Sequence, residues 1–160
     1  MIRLAALILA LMLAAGPASA ETRPFVKGSW PPLLQAHAGR PLVVHFWSLT
    51  CAPCLAELPQ WKELRRRHPE MDLVMIATDP IEDAPRLERI LARAGLAGVE
   101  GWAFADGFAE RLRFEIDRTW QGELPMTRLI GRGGDAETVI GPLPPSVLAQ
   151  WLGRQSGRQP

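Results

Sequence analysis

The chain has 160 residues, 48% of them hydrophobic and 22% charged, with a formal net charge of +1. That length accommodates one domain with a real core and is too short for two comfortable ones. The near-zero charge excludes the strong basic or acidic excess that would suggest nucleic acid or a charged membrane surface as partner.

Residues 1–20 read as a secretory leader. Met1-Ile2-Arg3 carries one positive charge, and Leu4 to Ala15 is an unbroken apolar run of about twelve residues. Gly16-Pro17 breaks the run, and Ala18-Ser19-Ala20 fits a small-x-small cleavage pattern. The run is shorter than the ~20 residues of a membrane span, so cleavage after Ala20 is expected, with an uncleaved anchor as the alternative. No cysteine follows the run, which argues against a lipid-attached N-terminus. Arg3 is the only charged side chain in this leader, so its removal takes the formal charge from +1 to zero. A single domain is expected over 21–160, with its core at about 28–152, in an oxidising extracytoplasmic compartment, the periplasm.

Residues 21–30 read as a loose lead-in. Pro31-Pro32 opens a short helix through Leu33, Leu34 and His37, since proline is tolerated in a first turn, and Gly39-Arg40-Pro41 ends it. Leu42 to Trp47 is a continuous apolar, β-branched run, as in a strand covered on both faces. A helix follows from Thr50 or Cys51 to about His68, with Leu55, Leu58, Trp61 and Leu64 apolar and Pro59 expected to kink it. Lys62, Arg65, Arg66 and Arg67 near its end form a solvated stripe that complements the helix dipole, rather than a binding patch.

Met71 to Thr78 is a second buried-type strand, and Asp79-Pro80 a turn. Ile81 to Ala94 is helical, with Leu87, Ile90 and Leu91 on its apolar face and Gly95 and Gly98 ending it. A short strand is expected over 99–105. Asp106 could cap a helix over 107–115, with Phe108, Leu112 and Ile116 apolar. Leu124 to Ile130 reads as a strand with proline at its start, Gly131 to Asp135 as a hairpin turn, and Glu137 to Ile140 as the return strand. Pro144-Pro145 opens a last helix to about Leu152, followed by a frayed tail. The order β-α-β-α-β-α-β-β-α predicts an α/β fold, a central mixed sheet with helices on both faces.

The only two cysteines, Cys51 and Cys54, stand at the turn between the first long strand and its helix. A disulfide closing so small a loop removes little unfolded-state entropy, so it is a poor staple and better suited to reversible chemistry. Cys51 sits at a helix N-terminus, where free N–H groups and the macrodipole favour a thiolate. It is expected to be the more exposed thiol and the attacking nucleophile. Cys54, one turn into the helix, is placed to resolve the mixed disulfide. Pro53 fixes the turn between them and removes a donor. Glu57 lies three residues beyond Cys54 on the same helix side. It could take the Cys54 proton as a general base, or only complement the helix dipole.

Four features resemble the thioredoxin fold, and more narrowly the exported TlpA/ResA-like thiol–disulfide oxidoreductases, over about 28–152. They are Phe46-Trp47 separated by three residues from Cys51-Ala52-Pro53-Cys54, Glu57 three after Cys54, Pro59 five after it, and Leu124-Pro125-Met126-Thr127 before Leu129-Ile130. Three positions depart from the family pattern. Thr50 stands where many relatives have tryptophan. His45 stands where thioredoxin has a buried acid and TlpA-like relatives often have asparagine. Leu124-Pro125-Met126 does not reproduce the Gly-x-Pro-Glu of the cytochrome c maturation branch.

The resemblance implies a cis Pro125 whose loop lies beside Cys51, with the Leu124 backbone free to pair with a substrate strand. It implies Trp47 packed beside the site and partly covering it, with core filling as the plain alternative. It implies dithiol exchange with exported proteins, in the reducing direction, and re-reduction by a membrane electron donor. No cofactor beyond a redox-active Cys51–Cys54 disulfide, no metal and no nucleic acid is expected, and the protein is expected to be a monomer. His45 either shifts the thiol pKa values or is a hydrogen-bonded core histidine, whereas His37 and His68 read as surface residues. Two thiolates can also hold Cu(I), so a copper carrier is the alternative function, with Met126 near the thiols if Pro125 is cis. Zinc needs four ligands, and no second cysteine pair exists.

Overall fold

The structure is a computed structural model, and residues 21–157 are described. The leader expected over 1–20 lies outside the described residues, as does the end of the expected tail. Among the described residues no helix is long and apolar enough to cross a membrane.

Six strands form one mixed sheet. They are β1 (Arg23–Phe25), β2 (Leu42–Trp47), β3 (Asp72–Pro80), β4 (Glu100–Phe104), β5 (Met126–Ile130) and β6 (Ala136–Ile140), in the spatial order β1-β4-β3-β2-β5-β6. β1, β4, β3 and β2 run parallel, whereas β5 pairs antiparallel with both β2 and β6. The helices are α1 (Trp30–Ala36), α2 (Ala52–Arg67), α3 (Ala84–Arg93), α4 (Ala109–Ile116) and α5 (Pro145–Ser156). This is the thioredoxin fold.

Alternation along β2 decides which residues meet which helices, because successive side chains point to opposite faces. Val43 and Trp47 enter a core with Leu58, Trp61 and Leu64 of α2, Leu87 and Leu91 of α3, and Leu148 and Trp151 of α5. Leu42, Val44 and Phe46 enter a second core with Trp30 and Leu33 of α1 and Leu112 and Ile116 of α4. Every residue of β2 is buried, as the continuous apolar run requires.

Three local expectations need correction. The lead-in is not loose: Arg23–Phe25 forms the edge strand β1, because Phe25 is fully buried and anchors three residues parallel to β4. Asp106 does not cap α4; its Oδ1 accepts from the Phe108 N–H at 3.0 Å and from Arg111, making a turn one residue before the helix. His37 is not a surface residue. Its ring lies between Asp72 Oδ2 at 2.8 Å and Glu100 Oε2 at 3.2 Å. Those carboxylates stand on β3 and β4, which the parallel pairing sets side by side. In addition, the last helix runs on to Ser156, past the predicted end at Leu152. The Arg66 and Arg67 side chains of the basic stripe are exposed and pair with Glu63 of the same helix.

Candidate active site

The turn after β2 carries both cysteines, and they form a disulfide with a Cα–Cα separation of 5.2 Å. Cys51 is the N-cap of α2, and its Sγ accepts from the Cys54 N–H at 3.2 Å. A helix N-terminus leaves its first N–H groups without intrahelical partners, and here one of them is aimed at sulfur. The same N–H stabilises a thiolate at that position once the bond is reduced. Pro53 is the second residue of the helix and supplies no donor. The two sulfurs differ in surroundings. Cys54 is 0% exposed inside the first core, whereas Cys51 is half-buried at its rim and Thr50, Ala52 and Pro53 around it are exposed.

Register delivers the second side of the site. β5 pairs with β2 through Phe46↔Met126 and His45↔Thr127, so Leu124 and Pro125 arrive at the end of β2 from which the cysteine turn departs. The Leu124–Pro125 peptide bond is cis. Leu124 is half-buried and packs on the core that Cys51 also borders. The Pro125 carbonyl accepts from the Gly141 N–H at 2.8 Å, which ties this loop to the end of β6.

Two residues expected near the thiols are buried, one in each core. Trp47 is 1% exposed and lies beneath α2 in the same core as Cys54. Strand alternation turns it inward with Val43, to the side of the sheet that also holds Cys54. Met126 is 0% exposed and belongs to the second core, across the sheet from Cys54. A cis Pro125 therefore does not bring its thioether to the thiols, since β5 alternation points it the other way. Among the described residues no group of three or more His, Cys, Asp or Glu side chains could hold a metal ion.

Glu57 is brought under the sheet with Cys54. The helical spacing sets Cys54, Glu57, Leu58, Trp61 and Leu64 on the buried face of α2. Its side chain is 3% exposed, and Oε1 accepts from the Leu143 N–H at 2.7 Å. Oε2 lies 3.8 Å from Nε2 of the fully buried His45, and both atoms lack a hydrogen-bond partner. Burial raises the Glu57 pKa above the usual carboxylate value, opposed by the Leu143 N–H and more weakly by the nearby Trp61 indole. Burial likewise lowers His45, to about 3. His45 Nδ1 is 3.0 Å from Thr127 Oγ1, and its ring packs 4.7 Å from that of Trp61.

Sequence reasoning missed two contributors. Asp79 is not merely part of a turn. It lies within β3, one residue before its end and inside the irregularity between Ala77 and Pro80, with Oδ2 accepting from the Leu49 N–H at 3.0 Å and Oδ1 from Ser48 Oγ at 3.2 Å. The Ser48 hydroxyl in turn accepts from the Thr50 N–H, so one carboxylate holds the three residues that lead into Cys51. Thr127 is the second, since only the β2–β5 register sets it opposite His45.

No protein-family model matches the chain. It is 28% identical over 123 residues to sporulation thiol-disulfide oxidoreductase A of Bacillus subtilis (strain 168), across 71% of this chain and 67% of the relative. The crystal structure of StoA from Bacillus subtilis shares the fold with a TM-score of 0.53 and 23% identity, covering 72% of this chain and 84% of that one. A thioredoxin-related protein from Neisseria meningitidis serogroup B superposes with a TM-score of 0.63 at 20% identity, over 78% and 91% of the two chains. A secreted Mycobacterium tuberculosis disulfide oxidoreductase homologous to E. coli DsbE gives 0.57 at 21% identity, over 75% and 85%.

Proposed function

The chain belongs to the TlpA/ResA-like thioredoxin-fold thiol–disulfide oxidoreductases, and from that premise we propose that it reduces disulfides of exported proteins. The observation that carries this reading is the asymmetry of the two sulfurs, one at the rim on a helix N-cap and one sealed in the core. Export itself is inferred from the leader pattern of residues 1–20.

In the reducing direction, the Cys51 thiolate attacks one sulfur of a substrate disulfide. The Cys51–substrate bond forms, the substrate disulfide breaks, and one substrate thiolate leaves. Cys54 then loses its proton to Glu57 and attacks Cys51 Sγ. The Cys51–Cys54 bond forms, the mixed disulfide breaks, and the second substrate thiolate leaves. Two electrons have passed to the substrate, and a dithiol donor, expected at the membrane, returns them. The Leu124 backbone and the exposed Pro53 are where a substrate strand would lie, in the manner of strand addition.

Assay of a small-molecule disulfide tests the reading. The reduced protein should reduce it, and Cys51→Ser should abolish turnover. Cys54→Ala expressed in its own compartment should accumulate mixed disulfides on Cys51 with the physiological substrates. Tight stoichiometric Cu(I) binding without disulfide turnover would instead favour the copper carrier, which keeps its two thiolates but has lost Met126 as a neighbour.

A further inference from the structure

Oε2 of Glu57 and Nε2 of His45 face each other across 3.8 Å, both buried and without a hydrogen-bond partner. Two such atoms cost free energy in a dry core unless a proton lies between them. The gap exceeds an ordinary hydrogen bond of ~3.0 Å by less than an ångström and is too short to seat a water.

The position of every proton follows from the partners. Oε1 is already the acceptor of the Leu143 N–H at 2.7 Å, so a carboxyl proton belongs on Oε2. Oε2–H then requires an acceptor, and the atom facing it is His45 Nε2. Nε2 accepts only if the single proton of the neutral imidazole is on Nδ1. Nδ1–H in turn requires an acceptor, and Thr127 Oγ1 lies 3.0 Å away. The directions in which burial shifts the two groups agree, since each shift favours the neutral form.

We propose that Thr127 fixes the His45 tautomer with its proton on Nδ1, so that Nε2 presents a lone pair to Glu57 and stabilises the protonated carboxyl. The proposal rests on the reading of Glu57 as the acceptor of the Cys54 proton. In the oxidised state described here, Glu57 holds that proton and His45 accepts it as a hydrogen bond. Re-reduction returns it to Cys54, by microscopic reversibility. Thr127 and His45 are positioning residues that act through Glu57. The groups facing the carboxyl are the Trp61 indole from α2, His45 from β2 and the Leu143 N–H before α5, with Cys54 one turn earlier on the same buried helix face. Among the described residues Glu57 has no ion-pair partner but His45.

The test uses the oxidised protein without substrate. Nitrogen-15 NMR of His45 near neutral pH should show a neutral ring protonated on Nδ1. Carboxyl carbon-13 titration should follow Glu57 in wild type, Thr127→Val and Thr127→Ser. Valine removes the acceptor of Nδ1–H, which favours the other tautomer and turns Nε2–H toward the carboxylate. The Glu57 midpoint should then fall by about one pH unit, a tenfold loss of proton affinity, and serine should restore it. A wild-type ring protonated on Nε2 or doubly protonated overturns the proposal, and so does a midpoint common to all three proteins. If the tautomer and the shift are found but Glu57→Gln resolves mixed disulfides at the wild-type rate, the proton pair stands and the general-base reading fails.

Discussion

The backbone N–H of Leu143 donates to Oε1 of Glu57 at 2.7 Å, joining the last loop of the chain to the active-site helix across 86 residues of sequence. It satisfies one carboxyl oxygen and leaves the other against His45. Glutamine can keep the first bond and cannot ionise. Glu57→Gln should therefore leave attack by Cys51 nearly unchanged and slow resolution by Cys54. General-base effects are typically ~10²–10⁴-fold, and access of water to the half-buried rim would reduce the loss. The same variant should be more stable than wild type once pH rises through the raised Glu57 value, because wild type then carries a buried carboxylate with no cationic partner. Single-turnover decay of a Cys51 mixed disulfide, beside denaturant melts of the oxidised proteins, measures both. A destabilised variant with normal resolution retires the catalytic role.

The pH dependence of stability separates the two buried groups. The folded Glu57 pKa is raised above 4.5, so the stability it allows is fully present below 4.5 and is lost as pH rises through the raised value. His45 is lowered from 6.5 to about 3, so its burial is free of penalty above 6.5 and costs stability as pH falls toward 3. The two slopes oppose each other on the acid side. Glu57→Gln removes only the carboxyl slope. Its stability should fall more steeply than wild type as pH drops from the raised Glu57 value to 4.5, where the carboxyl slope is missing and the His45 slope, up to ~1.4 kcal/mol per pH unit, is unopposed. Parallel limbs across that window in denaturant melts of the two proteins would contradict this.

Alkylation distinguishes the sulfurs directly. In the reduced protein Cys51 should react faster than Cys54 near neutral pH, because it is at the rim and receives the Cys54 N–H, whereas Cys54 is 0% exposed. Mass spectrometry of partly modified protein reports the order. Equal or reversed rates would exchange the roles assigned to the two residues.

Asp79 offers a test of loop positioning. Its carboxylate accepts from the Leu49 N–H and the Ser48 hydroxyl, and hydrogen bonds to charged groups contribute about 1.5–3 kcal/mol each before solvent access reduces them. Asp79→Ala should lower stability by about 2 kcal/mol and slow the first attack by Cys51, with Asp79→Asn closer to wild type. Unchanged attack kinetics in a destabilised Asp79→Ala protein would confine the residue to a structural role.

The chain order of strands and helices was legible in the sequence because each long element carries its own period. The β2 run, the α2 face and the hairpin glycines are local patterns. β1 was not legible, since three residues carry no period and hold their place only through pairing with β4. Met126 was expected near the thiols through a cis Pro125, and strand alternation turns it into the opposite core, whereas Trp47 shares the core of Cys54.

By itself the sequence determined the two-residue cysteine spacing, the helix that begins at Cys51, and the position of Glu57 one turn beyond Cys54. These depend on contacts within a single strand-turn-helix unit. Only the tertiary structure decided what surrounds them. Leu143, Thr127 and Asp79 reach the site from 86, 82 and 30 residues away from their partners. Strand register and loop closure bring them there, and neither leaves a periodic mark in the sequence. The protonation of the buried pair belongs to the same class, because desolvation arises only when β2, β5, α2 and the loop before α5 close over His45 and Glu57.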